Sequence, residues 1–274
     1  MKTDNKINVS VVIGGAQKAG TTYLHRALGN ALPELCVTNP KEARLFIKDK
    51  LFTGPNFRKA VNQRYKFFFP EDIQKKVLLD ATPEYTHQAI AVRRLYDYNP
   101  SMKWIICIRN PIARSYSQWK MRRRNGKEDR GFLVCLQEAV HDLSVASDQE
   151  ANKPSDSNGL LSRGLYCEQF DRIEGLFGKQ NVQYILTANM RQFEMETITH
   201  CKQFIFAGIA EPLRSIYKAT ELSEDALHED SYSSDGLNNA CLDLLKSFYR
   251  PEINRLSERF NIDFSHWLSS PMAD

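Results

Sequence analysis

The stretch Val11-Val12-Ile13-Gly14-Gly15-Ala16-Gln17-Lys18-Ala19-Gly20-Thr21-Thr22-Tyr23-Leu24 decides the fold of this chain. An apolar, β-branched run ends in two glycines, and a short loop with one lysine follows. Gly20 and two threonines then open a segment with the spacing of an amphipathic helix. A strand, a glycine turn and a helix N-terminus in this order point backbone N–H groups and the positive end of the helix dipole at one place. The stretch therefore predicts an anion cradle, to which Lys18 adds a full positive charge.

The position of the lysine separates this loop from the P-loop of nucleoside triphosphatases. That P-loop reads G-x-x-x-x-G-K-[ST], with its lysine after the second glycine. Here Gly15 and Gly20 keep the glycine spacing, but Lys18 lies between them and Thr21-Thr22 follows Gly20 directly. The sequence therefore predicts a P-loop-like nucleotide cradle that differs from the cradle of the ATPases.

The composition is that of an ordinary globular protein. The chain has 274 residues, 42% of them hydrophobic, which suffices to bury a sizeable core. Its net charge of +4 is too mild for a nucleic-acid-binding domain, so we expect no nucleic-acid partner. Six cysteines are spread along the chain without any C-x-x-C pair, which predicts buried thiols and no metal site.

The N-terminal residues 1–6 are polar and lead directly into the first predicted strand. They contain no apolar core of a signal peptide, and no apolar run reaches membrane-spanning length. From the sequence we therefore expect a cytoplasmic protein without membrane insertion.

Predicted strands alternate with predicted helices along the chain. Near-continuous apolar runs indicate buried parallel strands at 8–14, 35–37, 77–81, 103–108 and 182–186. Helical spacing occurs at 21–32, 89–98, 112–121, 132–143, 160–177, 195–207 and 237–260. We expect Pro251 to kink or split the last of these helices. The alternation predicts an α/β fold: a single domain over residues 1–274, with a central parallel sheet and helices on both faces.

A second informative stretch, Arg109-Asn110-Pro111-Ile112-Ala113-Arg114-Ser115-Tyr116-Ser117, follows the strand predicted at 103–108. An arginine at the carboxyl end of a strand lies on the ligand side of an open α/β sheet. Ser117 comes eight residues later, on a predicted helix that faces back toward the strand end. Arg109 and Ser117 can therefore hold a second phosphate away from the first cradle, which suggests a nucleotide that is phosphorylated at two places.

Together the two stretches resemble the nucleotide motifs of sulfotransferases that use PAPS (3′-phosphoadenosine-5′-phosphosulfate). The loop from Gly15 to Thr22 is similar to the G-x-x-K-x-G-T-T motif of heparan-sulfate-type and many bacterial enzymes, and Arg109 to Ser117 is similar to the second motif. The resemblance covers residues 9–260 in the order of their elements. It implies PAPS as co-substrate and no metal cofactor.

The resemblance also implies a role for each matching residue. The 5′-phosphosulfate would be held by the first loop, through Gly15, Gln17, Lys18, Ala19, Gly20, Thr21 and Thr22. The 3′-phosphate would be held by Arg109 and Ser117. The family's Gly-x-Tyr stretch matches Gly164-Leu165-Tyr166, which implies that Arg163 and Tyr166 lie beside the nucleotide.

In the reaction that this family catalyses, an acceptor oxygen or nitrogen attacks sulfur in line, and negative charge grows on the leaving 5′-phosphate. Lys18 lies where that charge would develop, so it would stabilise the transition state more than the ground state. We expect His25, on the helix behind the cradle, to pack or cap rather than to take part in the chemistry.

The preferred general base is Glu42, because Lys41-Glu42-x-Arg44-x-Phe46 is similar to the family's Lys-Glu-x-x-Phe-Phe stretch. His87 is the alternative base. Relatives often carry Glu-Lys-Thr-Pro where this chain has Asp80-Ala81-Thr82-Pro83, so a helper lysine is missing. Lys41 is the candidate to replace it.

The acceptor is the part of the reaction that the motifs leave open. We expect a small polar metabolite or natural product, and the acidic stretch 221–235, where many relatives have a Lys-Gly-rich loop, would suit a cationic one. A glycan and a peptide tyrosine are alternative acceptors. Alternatives from other classes are a P-loop nucleotide kinase, against which the displaced lysine argues, and a nucleotide-binding module without turnover. A homodimer is left open.

Overall fold

Two units make up the chain in the computed structural model, which describes residues 7–71, 73, 76–146, 159–216 and 237–269. The first unit comprises Met1–Ile108 and Gln169–Ile216, and the second comprises Arg109–Glu168 and Tyr217–Asp274. The expectation of a single domain over 1–274 stays a prediction. The acidic stretch 221–235, and the polar loop at 147–158, lie outside the described residues.

The first unit is built on a parallel sheet of five strands in the order β2-β3-β1-β4-β5. The strands are β1 (Val9–Gly15), β2 (Leu35–Val37), β3 (Val77–Asp80), β4 (Lys103–Ile108) and β5 (Val182–Leu186). Their side chains are almost all buried, as expected for a parallel sheet that is covered on both faces.

Helices of the first unit connect and flank these strands. They are α1 (Thr21–Ala31), α2 (Phe57–Tyr65), α3 (Ala89–Tyr98), α6 (Tyr166–Phe177, in this unit from Gln169), α7 (Thr187–Gln192), α8 (Glu194–Lys202) and α9 (Leu213–Ile216). The chain moves through α1 toward one edge of the sheet, from β1 to β2, and through α3 toward the other edge, from β3 to β4. Because such crossovers are right-handed, α1 and α3 cover opposite faces. The predicted α/β class with a flanked parallel sheet is confirmed.

The end of β1 is shaped by its neighbour β4. The pairing between these strands shifts register between Ile13 and Gly15. A β-carbon on Gly14 would lie 2.4 Å from the ring of Trp104, which is fully buried in β4. Only glycine allows the indole to pack under the chain where β1 leaves the sheet.

The second unit is helical in its described part. It contains α4 (Pro111–Arg124), α5 (Phe132–Ala146), a short turn (Ser162–Gly164), the start of α6, α10 (Asn239–Phe260) and α11 (His266–Ser269). Asn110 caps α4 by accepting from Ile112 N at 3.0 Å. Helix α10 packs against α4 and α5.

The predicted split of the last helix at Pro251 is wrong, and the alternative, a kink at this residue, stays a prediction. Helix α10 is continuous, and Pro251 lies on its exposed side. The buried residues Leu245, Tyr249 and Ile253 continue at helical spacing on both sides of the proline. Packing of this stripe outweighs the loss of one helix hydrogen bond.

Candidate active site

The loop between β1 and α1 has the backbone of an anion cradle. Lys18 and Gly20 have positive φ angles of 71° and 80°. Ala16 N donates to Cys107 O at 2.9 Å and Ala19 N donates to Ala16 O at 3.2 Å, so the loop is closed on itself and held to β4. Within the described residues, no side chain caps the first turn of α1 and no acid lies in it. The N–H groups of that turn therefore have no capping side chain from the described residues, which suits the binding of an oxyanion.

Two glycines of the cradle are required by the close approach of other side chains. A β-carbon on Gly15 would lie 2.4 Å from Thr86 Oγ1. A β-carbon on Gly20 would lie 2.7 Å from Met190 Cε, at a φ angle that already disfavours other residues. The glycine spacing that identifies the motif therefore has a packing reason as well as a conformational one.

Two threonines from neighbouring strand ends support the loop. Thr187, at the start of α7, has its hydroxyl oxygen 3.0 Å from Ala19 O and 3.1 Å from Ile108 O. Thr86, after β3, donates its backbone N–H to Gly14 O at 2.9 Å. The Thr86 hydroxyl is buried and has no hydrogen-bond partner in the described part of the chain. An unpaired buried hydroxyl beside the cradle is suited to a polar ligand.

Lys41 connects the cradle to the candidate base. Its Nζ lies 3.2 Å from Thr21 Oγ1, in the first turn of α1, and 3.2 Å from Glu42 Oε1. Residues from the ends of β1 and β2 are thereby brought together around one ammonium group. The role of Lys41 as the helper lysine stays a prediction.

Arg44 holds Glu42 from the other side. Its guanidinium contacts Glu42 Oε2 at 2.7 and 3.0 Å, and its Nε lies 3.0 Å from Glu84 Oε2. Arg44 is 47% exposed and has a positive φ angle of 54°. The Glu42 carboxylate, 30% exposed, is thus held between two cations and open to solvent.

A buried carboxylate organises the segment that carries these groups. Asp80, at the end of β3, is completely buried and accepts hydrogen bonds from Tyr65 OH at 2.7 Å, Tyr85 OH at 2.8 Å and Thr82 Oγ1 at 2.7 Å. Burial raises the pKa of Asp80, and these hydrogen bonds, together with one from Ala43 N, oppose the rise.

The same hydroxyls also accept from the backbone that follows Glu42. Thr82 Oγ1 accepts from Arg44 N at 3.2 Å, and Tyr85 OH accepts from Leu45 N at 3.1 Å. Residues 43–45 are therefore fixed through Asp80, and the candidate base next to them is fixed with them.

The two histidines take different positions. His25, on α1, has Nε2 2.9 Å from Thr38 O, and burial lowers its pKa. This agrees with the expected packing role. His87 lies between β3 and α3, next to Thr86, and is half-buried. Its assignment as the alternative base stays a prediction.

In the second unit, Arg109 is positioned by a buried tyrosine. Tyr166 OH donates to Arg109 O at 2.9 Å, and the Tyr166 side chain is fully buried. Burial raises the pKa of the Tyr166 phenol. Lys120 lies near enough to Arg109 that their repulsion adds to burial in lowering the pKa of Lys120. Two neighbouring cations suit an anionic ligand.

Arg114 is a structural member of the second motif. It is completely buried and donates to Gln118 Oε1 at 2.6 Å, to Ser115 Oγ at 3.0 Å and to Leu160 O. Ser115 Oγ also lies 2.9 Å from Tyr249 OH. This network joins α4 to the turn that begins at Leu160.

The other predicted ligands of the second motif are half-buried. Ser117 lies on the second turn of α4, and Arg163 lies in the turn Ser162–Gly164, where its side chain packs against Gly159. Within the first unit, Thr22 is exposed, whereas Gln17 and Lys18 are half-buried. Sequence reasoning assigned no role to Thr86, Thr187, Arg44 or Lys120, although Arg44 belongs to the stretch that contains Glu42.

Two curated relatives share sequence with this chain. Bifunctional heparan sulfate N-deacetylase/N-sulfotransferase 1 of Caenorhabditis briggsae is 23% identical over 205 residues, which are 75% of this chain and 23% of that protein. Bifunctional heparan sulfate N-deacetylase/N-sulfotransferase 4 of Mus musculus is 28% identical over 140 residues, or 51% of this chain and 16% of that protein. The chain therefore spans less than a quarter of the length of these relatives. No protein-family model matches it.

A solved structure gives the fold comparison. The crystal structure of a sulfotransferase from Alicyclobacillus acidocaldarius is similar with a TM-score of 0.67 at 22% identity, over 95% of this chain and 99% of that one. The resemblance that the two motifs predicted is confirmed: this chain has the sulfotransferase fold, and its relatives in sequence and in structure are sulfotransferases.

Proposed function

We propose that this chain is an enzyme that transfers a sulfuryl group from PAPS to a hydroxyl or nitrogen of a small polar acceptor. The observation that carries the proposal is the position of Lys41 Nζ, 3.2 Å from both Thr21 Oγ1 and Glu42 Oε1. It joins a phosphate-type loop to a solvent-accessible carboxylate. This contact supports a proposed donor site and a proposed general base in one unit.

The cradle fits the 5′-phosphosulfate end of PAPS. Its first helical turn has no side-chain cap in the described residues, its glycines admit no β-carbon, and the unpaired Thr86 hydroxyl lies beside it. When bound, PAPS supplies the sulfuryl group and a phosphate leaving group. Lys18 and the loop N–H groups stabilise the negative charge on that phosphate, which removes the need for a metal cofactor.

Glu42 takes the proton from the acceptor nucleophile. Arg44 and Lys41 keep its carboxylate oriented, and the Asp80 network fixes the backbone beside it. Removing such a base typically lowers turnover by about 10²–10⁴-fold. His87 is the second candidate for this role.

The 3′-phosphate is assigned to the second motif. Arg109 and Ser117 are its proposed ligands, and Arg163 lies in the turn tied to α4. The closeness of Lys120 and Arg109 supports an anion there. Tyr166 acts on this site by holding the Arg109 carbonyl.

Other acceptors and partners have less support than the small polar acceptor proposed above. A glycan is the second candidate acceptor, because the two curated relatives are named for heparan sulfate. A peptide tyrosine and the natural-product class stay proposals, as do a cytoplasmic location, a homodimer and the absence of nucleic-acid partners. No helix in the described ranges is both long and apolar enough to cross a bilayer.

The decisive experiment combines donor binding with turnover. Adenosine 3′,5′-bisphosphate and ATP–Mg²⁺ are titrated separately, and labelled PAPS is then screened against hydroxyl and amine acceptors with mass detection of the sulfated product. We expect binding of the bisphosphate, weak binding of ATP–Mg²⁺, and a product that Lys18→Ala lowers by about 10²–10³-fold. Tight ATP–Mg²⁺ binding without bisphosphate binding would favour a kinase and refute the proposal.

The base is tested separately. Glu42→Gln keeps the volume of the side chain and one of its two acceptor oxygens but cannot accept a proton, so we expect bisphosphate affinity to be kept and turnover to fall. His87→Gln is the matched variant. If Glu42→Gln turns over at nearly the wild-type rate and His87→Gln does not, the base is His87.

A further inference from the structure

The segment 48–69 is a strongly basic part of the described chain. It holds six Lys or Arg residues and one acid, Asp49, a net charge of +5 against +4 for the whole protein. Asp49 does not offset the nearby lysines, because its carboxylate is paired with Arg94 at 2.7 Å. The segment is therefore a concentrated positive surface.

Part of this surface forms a cavity of about 280 Å³. Its lining combines four apolar residues with three cationic ones: Leu45, Leu51, Phe67, Phe68, Lys48, Lys50 and Arg64. Phe67 is 76% exposed, an unusual state for a phenylalanine on a surface that is otherwise charged. Lys48, Lys50 and Arg64 are exposed, and the described residues offer none of them an ion pair.

The cavity is tied to the segment that carries Glu42. On one side, Leu45 N donates to Tyr85 OH, which donates to Asp80. On the other side, Tyr65, next to Arg64 on α2, donates to the same carboxylate. Both walls are therefore held by the group that also fixes the candidate base.

The turn after α2 is held to the sheet as well. Phe68 O accepts from Asn39 N at 2.8 Å, two residues beyond the end of β2. A ligand in the cavity would thus lie against elements that are continuous with the loop of Lys41 and Glu42.

We propose that this cavity is an acceptor subsite that binds an apolar group carrying an anion, such as an aromatic or acyl carboxylate, sulfonate or phosphate. The volume exceeds the roughly 150 Å³ that holds a benzene ring. Phe67, Phe68 and Leu45 would contact the apolar body, and Lys48, Lys50 and Arg64 would neutralise the anion. As an acceptor subsite it rests on the proposed function, and it replaces the cationic acceptor expected from residues outside the described part.

The test uses three probes on the whole protein. Naphthalene-2-sulfonate carries the proposed chemistry, 2-naphthylmethylammonium has the same ring with the opposite charge, and a uronic-acid tetrasaccharide is a hydrophilic polyanion. We expect the sulfonate to bind most tightly. A tetrasaccharide that binds more tightly and is indifferent to Phe67→Ala would overturn the proposal, as would equal affinity for the two naphthalenes.

Matched variants localise the binding. Arg64→Glu should weaken naphthalene-2-sulfonate binding about fivefold, since exposed charge pairs contribute up to about 1 kcal/mol. Lys59→Glu makes the same charge change on the same helix outside the cavity and should alter the affinity less than about twofold. Phe67→Ala should cost about fivefold and Phe206→Ala, another exposed phenylalanine, almost nothing. Equal effects within either pair would contradict the assignment.

Probe binding does not require turnover, so the two proposals fail separately. Lys18→Ala, which is expected to remove sulfuryl transfer, should leave naphthalene-2-sulfonate affinity unchanged. If sulfated products form but the sulfonate does not bind, only the subsite is wrong. If the sulfonate binds and PAPS does not, only the proposed reaction is wrong.

Discussion

The two predicted phosphate sites are built in different ways. The cradle in the first unit is made of backbone: positive φ angles at Lys18 and Gly20, and glycines against which other side chains pack. The Arg109 region in the second unit is made of side chains: a buried arginine, serine and tyrosine that bind carbonyl groups. A backbone site tolerates little change in chain geometry, whereas a side-chain site tolerates little change in hydrogen-bonding groups.

The two sites also differ in whether the residues proposed to bind the ligand are the same as those that hold the site in place. In the cradle, the residues that shape the loop are also the proposed ligand residues. In the second unit, Arg109 is half-buried near Lys120, while Arg114 is completely buried and bound to protein atoms. Two arginines five positions apart in one motif therefore have different roles, and substitutions should separate binding from stability.

The largest expected effect is on stability, from Arg114→Met. The variant removes a buried donor from Gln118 Oε1 and from Leu160 O, which keeps only its hydrogen bond from Ser115 Oγ. Removing a buried, charged hydrogen-bonding partner costs about 3 kcal/mol in free energy of unfolding. Denaturant titration by circular dichroism measures the loss.

Arg109→Met is the matched variant for this comparison. It should lose affinity for adenosine 3′,5′-bisphosphate while its unfolding free energy changes by less than about 1 kcal/mol. If both variants lose the same stability, the division between a ligand arginine and a supporting arginine does not hold.

The next effect is on turnover, from Gly20→Ala in the cradle. The new methyl group meets Met190 Cε at 2.7 Å, and alanine at a φ angle of 80° costs about 1–2 kcal/mol. A shift of about 1 Å in the loop lowers kcat/KM by roughly 10²-fold. Steady-state kinetics with PAPS measures this.

Two further variants separate the effect of the contact with Met190 from the effect of backbone strain. Met190→Ala combined with Gly20→Ala removes the contact but not the backbone strain, so it should recover only part of the rate. Gly54→Ala, at a glycine with no atom within 4 Å of an added β-carbon, should be close to wild type. Full recovery in the double variant would show that packing alone requires the glycine.

A smaller effect, about tenfold on kcat, is expected from Tyr85→Phe. The variant removes the hydroxyl that binds both Asp80 and Leu45 N, so the segment after Glu42 loses one of its anchors. KM for PAPS should stay within about twofold of the wild-type value, because the cradle is unchanged. The acid limb of the pH profile of kcat should change together with the maximal kcat, because this limb reports the base.

The control is Tyr98→Phe, which removes a neighbouring buried hydroxyl bound to Asn62 Oδ1 and Val9 N rather than to Asp80. It should keep the wild-type kcat. An equal loss of kcat in both variants would mean that the hydroxyls contribute to general stability and not to the position of the base.

The sequence predicted the backbone site better than the side-chain network. The bounds of β2, β4, β5 and α3 agree with the structure to the residue, because apolar runs and the Asn99-Pro100 stop are local signals. The cradle could be predicted for the same reason, since its glycine spacing lies within eight residues. The role of Asp80 could not, because its partners are Tyr65, Tyr85 and Ala43, which only the tertiary fold brings together.

Short elements without a strong period were missed. The predicted helix at 160–177 is a short turn followed by α6, because Leu165 has an extended ψ of 82° and ends the turn. Thr187–Gln192 forms α7, where no helix was predicted. This segment supplies Thr187 and Met190 to the cradle, so the missed helix is also the missed part of the site.

The smallest effect concerns pH and tests the supporting side of the cradle helix. Burial lowers the pKa of His25 below its ordinary value of 6.5, and Lys41 and Arg26 add to this, while the hydrogen bond to Thr38 O opposes it. As the pH falls through 6.5 the unfolded chain binds a proton first, so the free energy of unfolding decreases until the folded state is protonated as well.

His25→Gln keeps an amide donor for Thr38 O and should flatten this slope when unfolding is measured between about pH 5 and 8. Burial also lowers the pKa of His266, so part of the slope remains in this variant. A slope equal to wild type in His25→Gln would mean that the imidazole is solvated and that Thr38 O is held by another donor.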